Sequence, residues 1–487
     1  MLSRLRWLLA ILCAVHLVRY WYLPGWDSLW IDEAGSWWTI ADGWRELWAR
    51  TGMHPNSRLY GVMLLAWTQV AGNSEFALRL PSLGAMLFAV GTLSVWMERR
   101  FGGGLGWVAA AICLASPNLS FFALEARPYA FAVLFLTVAT AAWMSLCRQW
   151  SVVVGVLWMV SAALLVHMQP LVATSLLGHG VWLLWMAPWR EWDRARWLRM
   201  AGMACGALLL ASPEALRLGE IGGGLATVLI PPRPLVWADL WMLIPPAIAG
   251  PAAVAVLTTW RSWRPSEWGA EVGRHVAMGV SLTIVTATVI LGYALTAPAN
   301  VYLHRYTIAI LLGWLIMLLA LITGLPDAKS RSRFAVAFSS MVLAASVSMQ
   351  GWLPAHADAD WRGAMRAVQR WEGGRPAPLL LQSGFVEAAY PQLLGDARWE
   401  GFLLAPSLYY RRAGPTIALP YYVQETQQPF FDAAVSRVAG HRFAAIVYAD
   451  TPDSSAYIPR IAARCGPARK LGRFRRLEVY AFAQPYR

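Results

Sequence analysis

Cysteine, acidic residues and charge of either sign are all scarce in this chain. Five of its 487 residues are cysteine. Cys13, Cys113, Cys147 and Cys205 fall in apolar helical segments and Cys465 stands alone in the C-terminal part, so there is neither a disulfide framework nor a CxxC metal spacing. Charged residues make up 14% of the chain against 58% hydrophobic, with a mean hydropathy of +0.45. That balance excludes an ordinary soluble protein. No internal repeat, low-complexity tract or phosphate-cradling glycine loop occurs; the glycine triplets at 102–104 and 222–224 follow no strand pattern and read as turns.

What the chain has instead is apolar helix and tryptophan. Its 29 tryptophans gather at the ends of apolar runs, where amphipathic rings settle at the headgroup level of a bilayer. Runs at 5–23, 80–97, 105–122, 128–147, 152–166, 171–187, 198–211, 235–258, 276–295, 303–325 and 334–352 predict a polytopic α-helical membrane protein of about eleven spans, within a range of roughly 9–13. The net charge of +14 would raise nucleic acid as a partner in a soluble chain. Here the arginines are topological. Arg99 and Arg100, then Arg148, then Arg190 to Arg199, then Arg261, Arg264 and Arg274, then Lys329, Arg331 and Arg333 occupy alternate connections, which places those connections and the N-terminus in the cytoplasm. The run at 59–71 is too short to cross and would invert every later loop if it did. It reads as helix on the outer membrane surface, inside one long first loop from 24 to 79.

After Trp352 the composition turns polar. A helix at 360–371, strands at 378–382, 443–448 and 477–482, and helices near 430–439 and 456–464 predict a small soluble α/β domain over 355–487 on the outer side, following a membrane domain over 1–354.

The same parity collects the chemistry-bearing residues outside. The first loop offers Asp32, Glu33, His54, Arg58, Tyr60 and Arg79, the next outer turn Glu125, Arg127 and Tyr129, and a late one His304, Arg305 and Tyr306. Carboxylates can take a proton from a hydroxyl nucleophile, and arginines can hold phosphate through paired charge-assisted hydrogen bonds. Each has a plainer reading. Asp32 and Glu33 also suit the first turn of a helix beginning near Ala34, Glu125 and Arg127 suit a structural ion pair at a helix mouth, and Arg305 suits snorkelling to headgroups. His54 before Pro55 reads as a turn residue, with no second ligand at metal spacing.

In order, the acidic pair after the first span, His54-Pro55 to Leu59-Tyr60, Phe76 to Ser82 with Arg79, Glu125-Ala126-Arg127-Pro128-Tyr129, and His304-Arg305-Tyr306 before a late span resemble the GT-C superfamily of integral-membrane glycosyltransferases. The likeness is strongest to the branch of protein O-mannosyltransferases and lipid A aminoarabinose transferases, and it covers roughly 26–325. His54-Pro55-Asn56-Ser57 departs from that pattern in lacking its second proline.

The resemblance implies an inverting transfer of sugar from a polyprenyl-phosphate donor to a hydroxyl of a glycan, glycolipid or protein acceptor. The setting it implies is the periplasmic side of a bacterial inner membrane, in envelope glycan or glycolipid assembly, with membrane lipids and no nucleic acid as surroundings. It implies Asp32 as general base or acceptor-orienting carboxylate, Glu33 as its support, Glu125 and Arg127 as acceptor and phosphate contacts, and Arg305 as neutraliser of the departing phosphate. No cofactor is expected, a divalent metal staying open because some superfamily members use one. Two rivals are a ligase or polymerase of lipid-linked oligosaccharides and a lipid or polysaccharide transporter; the latter expects charges at mid-helix, whereas those here sit at span ends.

Overall fold

The structure is a computed structural model that describes residues 2–53, 57–186, 192–225, 269–296, 307–325, 328–350, 355–410, 413–449 and 454–483. Its contacts divide the chain into two compact units, the first comprising Met1–Pro24, Gly52–Tyr60 and Arg79–Pro354, the second Gly25–Thr51, Gly61–Leu78 and Ala355–Arg487. Most of the first loop thus packs with the C-terminal part and not with the spans that flank it in sequence.

The first unit is helical. Its long elements are α1 (Leu2–His16), which runs on through a π-helical turn at Leu17–Tyr22, then α5 (Glu75–Phe101), α6 (Leu105–Ala115), α7 (Pro117–Ala123), α8 (Tyr129–Leu146), α9 (Val152–Met168), α10 (Pro170–Ala173), α11 (Leu177–Met186), α12 (Arg194–Leu225), α13 (Ala270–Thr296), α14 (Ile308–Thr323) and α15 (Ala328–Gln350); α2 (Ile31–Ile40), α3 (Trp44–Met53) and α4 (Arg58–Ala71) lie between α1 and α5. Among the described residues, α5, α8, α13 and α15 are long and apolar enough to cross a membrane, and the α6–α7 pair adds a fifth if taken as one. Three shorter apolar helices lie at Val152–Met168, Pro170–Met186 and Ile308–Thr323. The expected span at 235–258 lies outside the described residues. At 14 residues, α4 is about 21 Å long, well short of a hydrocarbon core of about 30 Å.

The run at 105–122, expected as one continuous helix, is two helices bent by 74°. Pro117 is the reason. It lacks an N–H and forces Ser116 into an extended conformation (ψ 118°), from which the Ser116 hydroxyl caps the new helix by accepting from Leu119 N at 3.4 Å. The three glycines at 102–104 all have φ between 65° and 87°, so the α5–α6 connection is the turn the sequence predicts.

The basic connections converge within this unit. Glu271 at the start of α13 pairs with Arg100 and Arg148 and receives His275, four residues on, while Arg196 donates to Leu146 O at 2.7 Å. At the far ends of α8 and α9 lie Arg127 and His167. The loops grouped by charge therefore lie at one end of the helices, and the Glu125–Tyr129 motif at the other.

The second unit holds a five-stranded sheet in the order β2 (Thr416–Ala418), β1 (Leu379–Leu381), β3 (Phe443–Tyr448), β5 (Leu477–Phe482), β4 (Ala468–Phe474). The β1 strand is parallel to β2 and β3, and β5 is antiparallel to β3 and β4. All six residues of β3 are buried, because both faces are covered. Phe443, Ala445 and Val447 pack with Phe431, Val435, Tyr457 and Ile461 of the helices at Gln428–Ser436 and Ser454–Cys465. Ala444, Ile446 and Tyr448 pack on the other side with Trp361, Met365 and Val368 of α16 (Trp361–Glu372). Asp360 caps α16 by accepting from Gly363 N at 2.9 Å, and Gly373 ends it at φ 58°.

Candidate functional site

In the first unit the motif residues gather where α4, α5, α8 and α9 begin or end. Pro128 opens α8, so Glu125 and Arg127 fall in the tight turn before it, where Arg127 N donates to Glu125 O at 2.7 Å. Ser82, two turns into α5, donates its hydroxyl to Arg127 O at 3.1 Å, and the Tyr60 hydroxyl lies 3.5 Å from the same Ser82 oxygen. Ser57 ties the start of α4 to the end of α9, donating to His167 O at 2.7 Å while accepting from Tyr60 N. The Arg127 guanidinium stands 5.9 Å from the Tyr129 ring centre, within cation–π range.

Burial sets the electrostatics of this group. Arg79 is fully buried and Glu125 is 1% exposed. Such charges persist only where neighbouring groups answer them. Arg79, expected in the loop ahead of a span, lies instead within the first turns of α5. Arg58 is half-buried; burial, then the Arg217 charge, lowers its pKa, with Glu214 and Glu220 pulling the other way. Glu214 and Arg217 form a buried ion pair on α12, one arm of which measures 2.9 Å.

In the second unit the acidic pair opens α2. Glu33 is the third residue of that helix, and its Oε2 accepts from Trp30 N at 3.1 Å. Helix capping, the plainer reading of the pair, is thus what one Glu33 oxygen does. The other lies 3.7 Å from His356 Nε2, and both side chains are buried. Asp32, one position earlier, is only half-buried. The α2 helix is held by aromatic contacts, Trp38 on Phe402 at 5.7 Å and Trp37 on Tyr409 at 5.1 Å.

The segment just before α2 is pinned by groups that the sequence did not single out. Asp27 accepts from Ser28 N, His356 N and Ala357 N and binds Arg475 through both guanidinium nitrogens, at 2.7 and 2.8 Å. Burial tends to raise its carboxyl; the Arg475 hydrogen bond and the backbone donors outweigh that and hold it below the usual range. Tyr410, pushed up to about 12 mainly by burial, accepts from Leu29 N at 2.9 Å and stands 3.0 Å from Ser28 Oγ. Arg362 closes the frame through Glu75, 2.9 Å away, and Trp26 O. Nothing local in the sequence joins 27 to 356 or 475; only tertiary structure does.

His54 and the triplet His304, Arg305 and Tyr306 lie outside the described residues. Among the described residues no three His, Cys, Asp or Glu side chains come together as a ligand set. The arrangement offers one half-exposed carboxylate on a rigid helix start, and separately a turn carrying a guanidinium, a carboxylate and the Tyr129 phenol, with the Tyr60 phenol of α4 reaching the same Ser82. Those are the elements of hydroxyl activation and of anion recognition.

No family profile and no curated protein matches the sequence. Among solved structures, ArnT from Cupriavidus metallidurans bound to undecaprenyl phosphate is similar over 98% of this chain and 98% of its own, at 12% identity and a TM-score of 0.58. A likeness end to end in both chains is one of architecture, and the fold of this protein is accordingly the one seen in ArnT.

Proposed function

We propose that the protein is an inverting glycosyltransferase that moves a sugar from a polyprenyl-phosphate donor to an acceptor hydroxyl on the periplasmic side of a bacterial inner membrane, in envelope glycan or glycolipid assembly. The observation that carries this reading is the whole-length likeness to a protein whose structure holds undecaprenyl phosphate. Asp32, half-exposed at the start of α2, supports it by offering a carboxylate that solvent reaches.

The acceptor oxygen attacks the anomeric carbon, the bond from that carbon to the phosphate oxygen breaks, and the acceptor proton passes to Asp32. The lipid phosphate leaves with the bonding pair. Because a phosphate is already a good leaving group, the enzyme has to orient the acceptor and stabilise growing charge on the phosphate. Arg58 and Arg127 are the proposed phosphate contacts among the described residues, and Tyr60, Tyr129 and Glu125 are proposed to position the acceptor; His54, His304, Arg305 and Tyr306, outside the described residues, are proposed as further substrate-binding residues on sequence grounds alone. Arg79, being fully buried, holds this group in place.

The test is Asp32→Asn in reconstituted vesicles offered a panel of undecaprenyl-phosphate sugars and extracted envelope lipids. Donor binding is expected to persist while transfer falls by about 10²-fold or more. Transfer at the wild-type rate would overturn the assignment.

A further inference from the structure

The second unit contains a concavity that the transfer reading does not use. It measures about 490 Å³, inside the range of about 300–1,000 Å³ typical of small-molecule sites. One wall is α16, which presents Arg362, Arg366 and Gln369 at helical spacing. The facing wall is aromatic, made of Trp37 and Tyr409 with their rings 5.1 Å apart at 80°, and Asn73 closes one end.

We infer that this pocket binds a pyranose carrying one anionic group, at a site separate from Asp32. The charge tally sets the ligand's charge. Arg362 is answered by Glu75 at 2.9 Å, whereas the exposed Arg366 guanidinium has no ion-pair partner among the described residues, which leaves the pocket one positive charge in excess. The walls set its body. Half-exposed Trp37 and Tyr409 offer aromatic surface to the C–H faces of a sugar ring, and the Gln369 and Asn73 carboxamides can both give and accept hydrogen bonds with its hydroxyls.

The pocket is also built to keep its shape. The Tyr409 hydroxyl donates to Asn73 O at 2.6 Å, Gln369 Nε2 donates to Tyr410 O at 3.3 Å, and Tyr410 reaches Glu75 at 3.4 Å. A site fixed in this way loses little on binding to the ordering of its own side chains. Two anionic groups meet the description, the carboxylate of a uronic acid and the phosphate of a phosphorylated sugar. The inference needs only the pocket and does not depend on the transfer reading.

Saturation-transfer NMR on the full-length protein in detergent tests it, with methyl β-glucuronide, glucose 6-phosphate, glucose, inorganic phosphate and uridine monophosphate as probes. Ring protons of the glucuronide, of the phosphorylated sugar or of both are expected to be saturated, and whichever binds names the anion. Glucose should bind at least about fivefold more weakly, and Arg366→Gln should weaken the charged sugar by about tenfold or more. Arg366 is exposed, so the variant is expected to fold; Trp37→Ala, checked for unchanged thermal unfolding, should weaken the same ligand. Asp32→Asn should bind the sugar as the wild type does, which separates failure here from failure of the transfer assignment. The inference is overturned if no charged sugar binds, if glucose binds equally well, if Arg366→Gln keeps its affinity within twofold, or if phosphate or uridine monophosphate binds in preference.

Discussion

Asp27 is the residue whose removal should most disturb the scaffold under the acidic pair, and the structure allows the size of the effect to be worked out. Its carboxylate takes five N–H donors, three from backbone and two from Arg475. Arg475 reaches it from the β4–β5 turn in the left-handed region, at φ 57°. Asp27→Asn keeps one acceptor oxygen and turns the other into a donor, which faces donors on whichever side it lands. A hydrogen bond to a charged group is worth about 1.5–3 kcal/mol net, fully buried pairs cost about 3–5 kcal/mol when broken, and exposed ones little. With side chains 14% and 35% exposed, this pair lies between those limits, and a loss of about 2–4 kcal/mol in local stability is expected. Local opening then rises about 30- to 1,000-fold, read as the rate of limited proteolysis within Gly25–Thr51 on the intact, detergent-solubilised protein. A double-mutant cycle with Arg475→Gln should return a coupling of about 1–2 kcal/mol. The sign with pH follows from the depressed carboxyl. Stability from this contact is fully present above the unfolded value of about 3.9 and is lost as pH falls through the lower folded value. Cleavage rates within twofold of wild type at pH 7, or a contact that strengthens on acidification, would refute the reasoning.

Three further outcomes are expected. Glu33→Gln keeps an acceptor for Trp30 N and should hold transfer within about tenfold of wild type, while Asp32→Asn does not; equal losses in the two would put Glu33 in the chemistry as well. A Cβ on Gly313 would stand 2.7 Å from the Gly279 carbonyl oxygen, so Gly313→Ala must spread α13 from α14, costing about 1–3 kcal/mol and lowering the unfolding temperature by several degrees; an unchanged temperature would mean the helices are not that close. Reporter fusions at Glu46 and Arg375 should both report outside the cytoplasm, and a cytoplasmic signal at either would break the topology on which the proposed function rests.

The sequence carried the helices and the buried strands well because their signals are local. The apolar runs, the all-buried Phe443–Tyr448 and the amphipathic α16 each state their environment in their own residues. The strands β2 and β4 went unread for the opposite reason. They are the two edges of the sheet, one only three residues long and the other bearing Arg469, Lys470 and Arg473, and charge on an edge strand is what keeps it from pairing with another chain. Pro117 was visible, yet proline within an apolar run is compatible with a kinked span, and only the 74° bend decides for two helices.

The acidic pair shows where such reading stops. Capping and chemistry compete for Asp32 and Glu33 in the sequence because both want a carboxylate at a helix start. The structure divides them by position. At the third residue a Glu side chain is long enough to curl back to the Trp30 N–H, and that same curl buries it against His356. The shorter side chain one position earlier stays half-exposed. Capping by Glu33 and the role proposed for Asp32 are therefore compatible. The cap fixes the first turn of α2, Asp27 fixes the chain that enters it, and the aromatic contacts of Trp37 and Trp38 fix the helix beyond, so Asp32 is presented from a start held on three sides. The base role proposed for Asp32 would draw on that rigidity, because a base has to meet the acceptor hydroxyl at hydrogen-bond distance.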